Sequence, residues 1–179
     1  MMENVFKPAR RHADFSWASI GNVKEGRGDL GEDMPVSVYR LMQYTMLATL
    51  AKDMGEEKAN WYFREAGKLA GREFALNLLK LDVPMNDFMA ELQRLLKDFR
   101  ICVFRLESLD PQTGEIIVTA AQDLDCSGIP VTNETVCCYD EGFFSGILGA
   151  YLKREYDIRE VDCWANGDRI CRFKGGPRT

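Results

Sequence analysis

Residues 100–122 read RICVFRLESLDPQTGEIIVTAAQ, and this stretch decides the fold class. Upstream of it, apolar residues recur at helical spacing. Within it, β-branched and apolar residues fill Arg100 to Glu107 and again Glu115 to Gln122. Between the two runs, Asp110-Pro111-Gln112-Thr113-Gly114 is turn chemistry, because proline presets φ and glycine accepts a left-handed backbone. The stretch therefore predicts a β-hairpin.

Working towards the N-terminus, three helices precede the hairpin. The first is predicted from Pro35 to about Met54, with proline at its start and Gly55 at its end. Its apolar residues, Val38, Leu41, Met42, Leu47, Leu50 and Met54 among them, wrap most of its circumference, which predicts a helix buried in the domain or in a subunit interface. The second, Glu56 to Leu79, carries Ala66, Gly67, Ala70 and Gly71 on one face. Each helical glycine costs ~1 kcal/mol relative to alanine, so close packing of another helix is expected there. The third runs from about Asn86 to Phe99, with Phe88, Leu92, Leu95, Leu96 and Phe99 in register.

Towards the C-terminus, helix returns from about Cys137 to Glu155, again with glycines (Gly142, Gly146, Gly149). A second hairpin follows from about Asp157 to Lys174, turning at Asn166-Gly167-Asp168. The sum is an α+β domain, a helical half packed on an antiparallel sheet. Residues 1–34 are polar and glycine-rich and read as a tail and loop, with a short strand expected at Phe15–Ile20. Residues 35–174 form the domain and 175–179 a C-terminal tail.

The chain has 28 acidic and 23 basic residues, a net charge of -5, and its basic residues are spread along it. A nucleic-acid surface needs a clustered positive field, so none is expected. Lys7, Arg10 and Arg11 are read as part of a solvated tail. No run of about 18 apolar residues could span a bilayer, and the first 30 residues lack a secretion signal, which leads to the expectation of a cytoplasmic protein. In that compartment thiols stay reduced, so the six cysteines point to metal or redox chemistry rather than to disulfides.

Four of the six cysteines fall in the last 43 residues. If the terminal hairpin turns on Asn166, Gly167 and Asp168, Cys163 faces Cys171, and opposite residues hold their Cβ atoms ~4.5 to 5.5 Å apart. Such a pair is either two buried thiols or half of a metal site. A tetrahedral site needs two more donors. Glu160 lies three residues before Cys163, on the wrong face of a regular strand unless the chain bulges there. Cys137 or Cys138, at a helix start that favours the thiolate, supplies the other.

The run Cys137-Cys138-Tyr139-Asp140-Glu141-Gly142-Phe143-Phe144-Ser145-Gly146, followed by Arg159-Glu160-Val161-Asp162-Cys163 and Gly167-Asp168-Arg169-Ile170-Cys171-Arg172-Phe173, resembles the C-terminal signature of the 4-vinyl-reductase domain family. Pro35 to Leu41 and Ala66 to Phe74 fit its helical half, so the resemblance covers about Leu30 to Lys174. It implies a fold similar to that of TRAPP subunits and haem-dependent nitric-oxide sensors, with an apolar cavity beside the sheet. It also implies a structural zinc site on Cys137, Glu160, Cys163 and Cys171, Cys137 being preferred to Cys138 for its offset from Gly142. Iron–sulfur ligation by the same donors stays open. The cavity lining expected from the resemblance is Trp61, Phe74, Phe88, Phe104, Phe143, Phe144 and Tyr151. Family members that sense phenols anchor the hydroxyl on a histidine. The single histidine here, His12, lies in the tail, so a phenol is not the expected ligand.

These readings lead to a non-enzymatic module that binds or senses a small hydrophobic or aromatic molecule, as a homodimer, and passes its signal to a separate partner. Two alternatives stay open. One is a thiol redox sensor drawing on Cys126, Cys138 and the proposed ligands. The other is an accessory protein or reductase acting on a tetrapyrrole vinyl group, although the chain has neither a G-x-G-x-x-G after a strand nor a serine–histidine or cysteine–histidine pair.

Overall fold

The computed structural model describes residues 14–178. The Lys7, Arg10, Arg11 cluster and His12 lie outside the described residues. The chain divides after Glu32 into two compact units. In the first, Trp17–Ile20 is a 3-10 turn and α1 is the single turn Val23–Gly26. The strand expected at Phe15–Ile20 is thus replaced by a local turn in which Ser19 N–H bonds back to the Ser16 carbonyl. Alternating residues form a strand only when another strand supplies the ladder, and none pairs here.

The second unit starts with α2, Val36–Met54, and α3, Glu56–Leu78. Pro35 precedes α2 in an extended conformation, and Gly55, at φ 88°, separates the two helices. Only glycine takes that backbone angle without strain. α4, Met85–Asp98, turns Phe88, Met89, Leu92, Leu95 and Leu96 inward. Strands β1 (Val103–Leu109) and β2 (Ile116–Ala121) form the first hairpin. Then come α5, Cys138–Leu152, and the strands β3 (Tyr156–Asp162) and β4 (Ile170–Pro177). The sheet is antiparallel throughout, in the order β1-β2-β4-β3.

α5 is the centre of this unit, with every residue from Asp140 to Leu148 buried. It is glycine that lets it lie so close to α3. A Cβ on Gly67 or Gly71 would fall on the carbonyl oxygen of Tyr139 or Phe143, and one on Gly142 or Gly146 on the carbonyl of Arg64 or Lys68. Two glycines on each helix therefore give backbone-to-backbone contact, which explains why both helices tolerate residues of poor helical propensity.

α2 departs from the expectation. Its only buried residue is Gln43, whereas Leu41 is 65% exposed and Met42 58%. The helix is docked by its polar side. Tyr39 Oη donates to Asp125 Oδ1 at 2.8 Å, Gln43 Nε2 to Asp125 Oδ2 at 2.7 Å, and Arg40 to the carbonyls of Leu124 and Ser127 at 2.8 and 2.9 Å. Apolar residues all round a helix suggested burial, but a buried carboxylate on the loop after β2 draws the polar stripe inward and turns the apolar residues outward.

Candidate metal centre

The four sulfurs of Cys126, Cys137, Cys163 and Cys171 lie within 4.8 Å of one another, and all four residues are buried. The separations are 3.1 Å for Cys126 to Cys171, 3.9 Å for Cys137 to Cys163 and 4.0 Å for Cys137 to Cys171. A tetrahedron with ~2.3 Å metal–sulfur arms has edges of roughly 3.8 Å, so the spacing and the donor type both suit a tetrathiolate ion. These four cysteines can hold a metal.

Each sulfur arrives from a different segment. Cys126 is set by the turn after β2, where Asp123 Oδ1 accepts from Asp125 N at 2.8 Å and from Cys126 N at 3.4 Å. Cys137 is the residue before α5. Cys171 lies in β4, opposite Ala120 of β2. Cys163 follows β3, and its carbonyl accepts from Asn166 N and Asp168 N at 3.0 and 3.2 Å, forming a tight knuckle closed by Gly167 at φ 94°. The register Asp162↔Arg172 brings Cys163 towards Cys171. The loop is nevertheless longer than three residues, because a 3-10 turn, Trp164–Asn166, fills it.

Of the expected ligands, Cys137, Cys163 and Cys171 come together, and the fourth sulfur is Cys126, in the place expected for Glu160. The bulge anticipated beside Glu160 is present, between Glu160 and Asp162 in the β3–β4 pairing. It aims the Glu160 carboxylate at the start of α5, where Oε2 accepts from Cys137 N at 3.0 Å. Glu160 Oε1 is buried without a partner. Burial, countered by the Cys137 N–H, pushes the Glu160 carboxyl up to about 8. Cys138 points away from the cluster, towards Asn60 Oδ1 at 3.8 Å, and burial raises its thiol to about 11. Among the four clustered thiols, hydrogen bonds from Cys126, Cys137 and Cys171 hold Cys163 low, so in the metal-free chain it is the thiolate to which the others donate.

A second line of buried polar groups ties this cluster to the helices. Arg64 Nε of α3 donates to Glu141 Oε2 of α5 at 2.6 Å, and Glu141 Oε1 accepts from Glu160 N of β3 at 2.9 Å. Ser145 Oγ accepts from Ile158 N at 3.0 Å while donating to the Glu141 carbonyl. Beside the cluster stand three buried aspartates, Asp123, Asp125 and Asp140. Burial first, then the Asp125 charge, pushes Asp123 up to about 7, and burial raises Asp140 as well.

The seven aromatics expected to line a cavity fall into three places. Phe74, Phe143, Phe144 and Phe104 pack ring to ring, at centroid distances of 5.4, 6.0 and 5.1 Å along the series, and Phe144 continues to Phe173 at 5.1 Å. Phe88 stacks on Tyr151 at 3.9 Å. Trp61, 49% exposed, lines a separate cleft of about 370 Å³ with Arg64, Lys68 and Arg159. A larger open groove, about 950 Å³, runs past Val36, Arg40, Leu124, Val131, Trp164 and Arg169. No helix among the described residues is long and apolar enough to cross a membrane.

A helical layer on a four-stranded antiparallel sheet, with a thiol cluster at the base of its last hairpin, defines the class of protein. Residues 116–177, from β2 to the end of β4, match the model of the 4-vinyl-reductase domain, and the chain is a 4-vinyl-reductase-domain protein. Two uncharacterized proteins of Methanocaldococcus jannaschii are similar to it, one 25% identical over 148 residues (82% of this chain, 80% of the relative) and one 23% identical over 144 (80% and 76%). The fold is shared with the phenol-responsive sensory domain of the transcription activator PoxR, solved with phenol, at TM-score 0.63 and 15% identity, covering 80% of this chain and 75% of that one. It is shared too with a vinyl-4-reductase family protein of M. jannaschii, at TM-score 0.59 and 12% identity, covering 84% and 85%. A trafficking protein particle complex subunit 3 of Naegleria fowleri, covalently bound to palmitic acid, matches at TM-score 0.63 and 11% identity, covering 80% and 95%.

Proposed function

We propose that this 4-vinyl-reductase-domain protein binds a small hydrophobic or aromatic molecule as a sensor, without turnover, and that a zinc ion on Cys126, Cys137, Cys163 and Cys171 fastens the hairpin that completes the domain. The observation that carries the reading is the convergence of four buried sulfurs from four separate segments. Burying four thiols beside three aspartates is electrostatically costly for a bare chain and favourable around a divalent cation. The fold supports the sensing part, since PoxR's sensory domain responds to phenol and the Naegleria subunit carries palmitic acid. The ligand lies against the ring series Phe74, Phe143, Phe144 and Phe104 or the Phe88–Tyr151 pair. These rings are in contact, so binding parts them. Glu160 serves the zinc from outside, by fixing the Cys137 backbone.

The reading includes a homodimer through the outward apolar residues of α2, because Leu41, Met42 and Met46 are too large an exposed group to leave in water without a partner. It places the chain in the cytoplasm, where the thiols stay reduced. Native mass spectrometry of protein purified from its natural host tests all of this at once, with one zinc per chain, a dimer and a retained small molecule as the expected result. A metal-free monomer carrying nothing refutes it.

The 3.1 Å approach of Cys126 to Cys171 favours one second reading, a thiol redox sensor. Hydrogen peroxide would take two electrons and two protons from the pair, leaving a disulfide and two molecules of water. Reversible loss of two free thiols under peroxide, mapped to Cys126 and Cys171 in protein kept free of metal, would support it.

A further inference from the structure

Asp123, Cys137 and Asp140 form a second group beside the four sulfurs, with one ligand atom from each within 4.8 Å of the others. Asp123 is 1% exposed and Asp140 4%, and each has an oxygen, Oδ2, that is buried without a hydrogen-bond partner. Nearby cations are committed elsewhere. Arg40 donates to the carbonyls of Leu124 and Ser127, and Arg64 pairs with Glu141. Among the described residues no ion pair reaches Asp123 or Asp140. Asp125, the third aspartate, has both its oxygens taken by Tyr39 and Gln43.

Four thiolates and two carboxylates around a single divalent ion leave a large buried negative charge, and a second divalent ion halves it. Two carboxylate oxygens with one sulfur are a mixed donor set that suits zinc or a similar borderline metal rather than magnesium or calcium, which take oxygen alone. We infer that the chain binds a second divalent transition-metal ion between the Asp123 and Asp140 carboxylates, with the Cys137 sulfur shared between this ion and the tetrathiolate centre. The inference rests on the zinc reading above. It changes the centre from a single structural ion to a pair, with the second site formed partly by the first turn of α5.

The test is a zinc titration of the metal-free full chain, read by native mass spectrometry and repeated with cobalt, whose thiolate charge-transfer absorption reports each equivalent separately. Wild type should take up two ions per chain. Asp140→Asn should take up one, with the spectrum of the first equivalent unchanged and the change at the second abolished. Asp123→Asn should behave alike, and it supplies the answer if Asp140→Asn fails to fold. Saturation of wild type at one ion, the carboxyl pair merely sharing a proton, overturns this inference alone, as does a second ion that survives in both variants. Failure of wild type to bind any ion would overturn the tetrathiolate reading as well.

Discussion

Glu160 Oε2 accepts the backbone N–H of Cys137 at 3.0 Å, so the carboxylate that the sequence suggests as a ligand is committed to the backbone of a residue whose sulfur belongs to the cluster. The arrangement is a supporting one, in which a side chain orients a donor without being one.

Zinc affinity separates the two roles. Cys126→Ser should weaken zinc binding more than about 100-fold, and Glu160→Gln by about 10-fold, the smaller range typical of a supporting group. Competition with a chromophoric chelator measures both. A larger loss for Glu160→Gln than for Cys126→Ser would make the carboxylate the fourth ligand.

The glycine seam predicts a stability effect. Gly142→Ala should cost about 3 kcal/mol, because the new methyl meets the backbone of α3, which cannot move aside as a side chain would. For a chain of this size that lowers Tm by roughly 6–12 °C. Gly28→Ala, with nothing within 4 Å of the added carbon, should leave Tm unchanged in the same thermal scan.

Removing Glu141 should break the polar chain between α3, α5 and β3. Glu141→Ala strips Arg64 of its partner and leaves Glu160 N without an acceptor. Breaking a fully buried pair costs ~3–5 kcal/mol. Arg64 is partly exposed and regains water, so about 2–3 kcal/mol is expected in urea unfolding. Zinc affinity should fall with it, since Glu160 loses its anchor.

In the metal-free chain, stability should decline with rising pH. Asp123 and Glu160 have folded pKa values raised by burial, to about 7 and about 8, above their ordinary values of 3.8 and 4.5. A raised folded pKa means that the folded state holds the proton more tightly, so the contribution is whole below about pH 4 and disappears as pH climbs through 7 to 8. Zinc should reverse the slope, because binding requires thiolates. Chemical unfolding at pH 5 and pH 8, with and without zinc, gives the four values.

Leu41→Glu should convert a dimer to a monomer in sedimentation while changing monomer stability by less than about 0.5 kcal/mol, as for other exposed substitutions. A dimer that persists would place the interface elsewhere than on α2.

Much of this was legible in the residues. Helical spacing at Phe88, Leu92 and Leu95 and the turn at Asp110–Gly114 predict elements that the structure has, because both signals are local. The glycines of α3 and α5 announced close packing, since poor helix formers are retained where space demands them. Cys126 could not be placed the same way. It lies eleven residues from Cys137 in an irregular turn set by Asp123, and neither strand register nor helical period reaches across such a segment. The orientation of α2 was misread for a related reason. Which side of a helix faces inward was settled by one buried carboxylate, Asp125, that no periodicity reveals.

The spacing of Gly67 to Gly71, and of Gly142 to Gly146, is one turn of helix on each side of the α3–α5 contact. The pair thus resembles two racks with matching teeth. A slide of an ångström or two would drive a neighbouring side chain into a carbonyl, and the next fitted position lies about 5–6 Å along. Whatever reaches this domain and alters it must either carry both helices as one rigid body or displace them by a whole notch, so its response is built to be stepwise rather than graded.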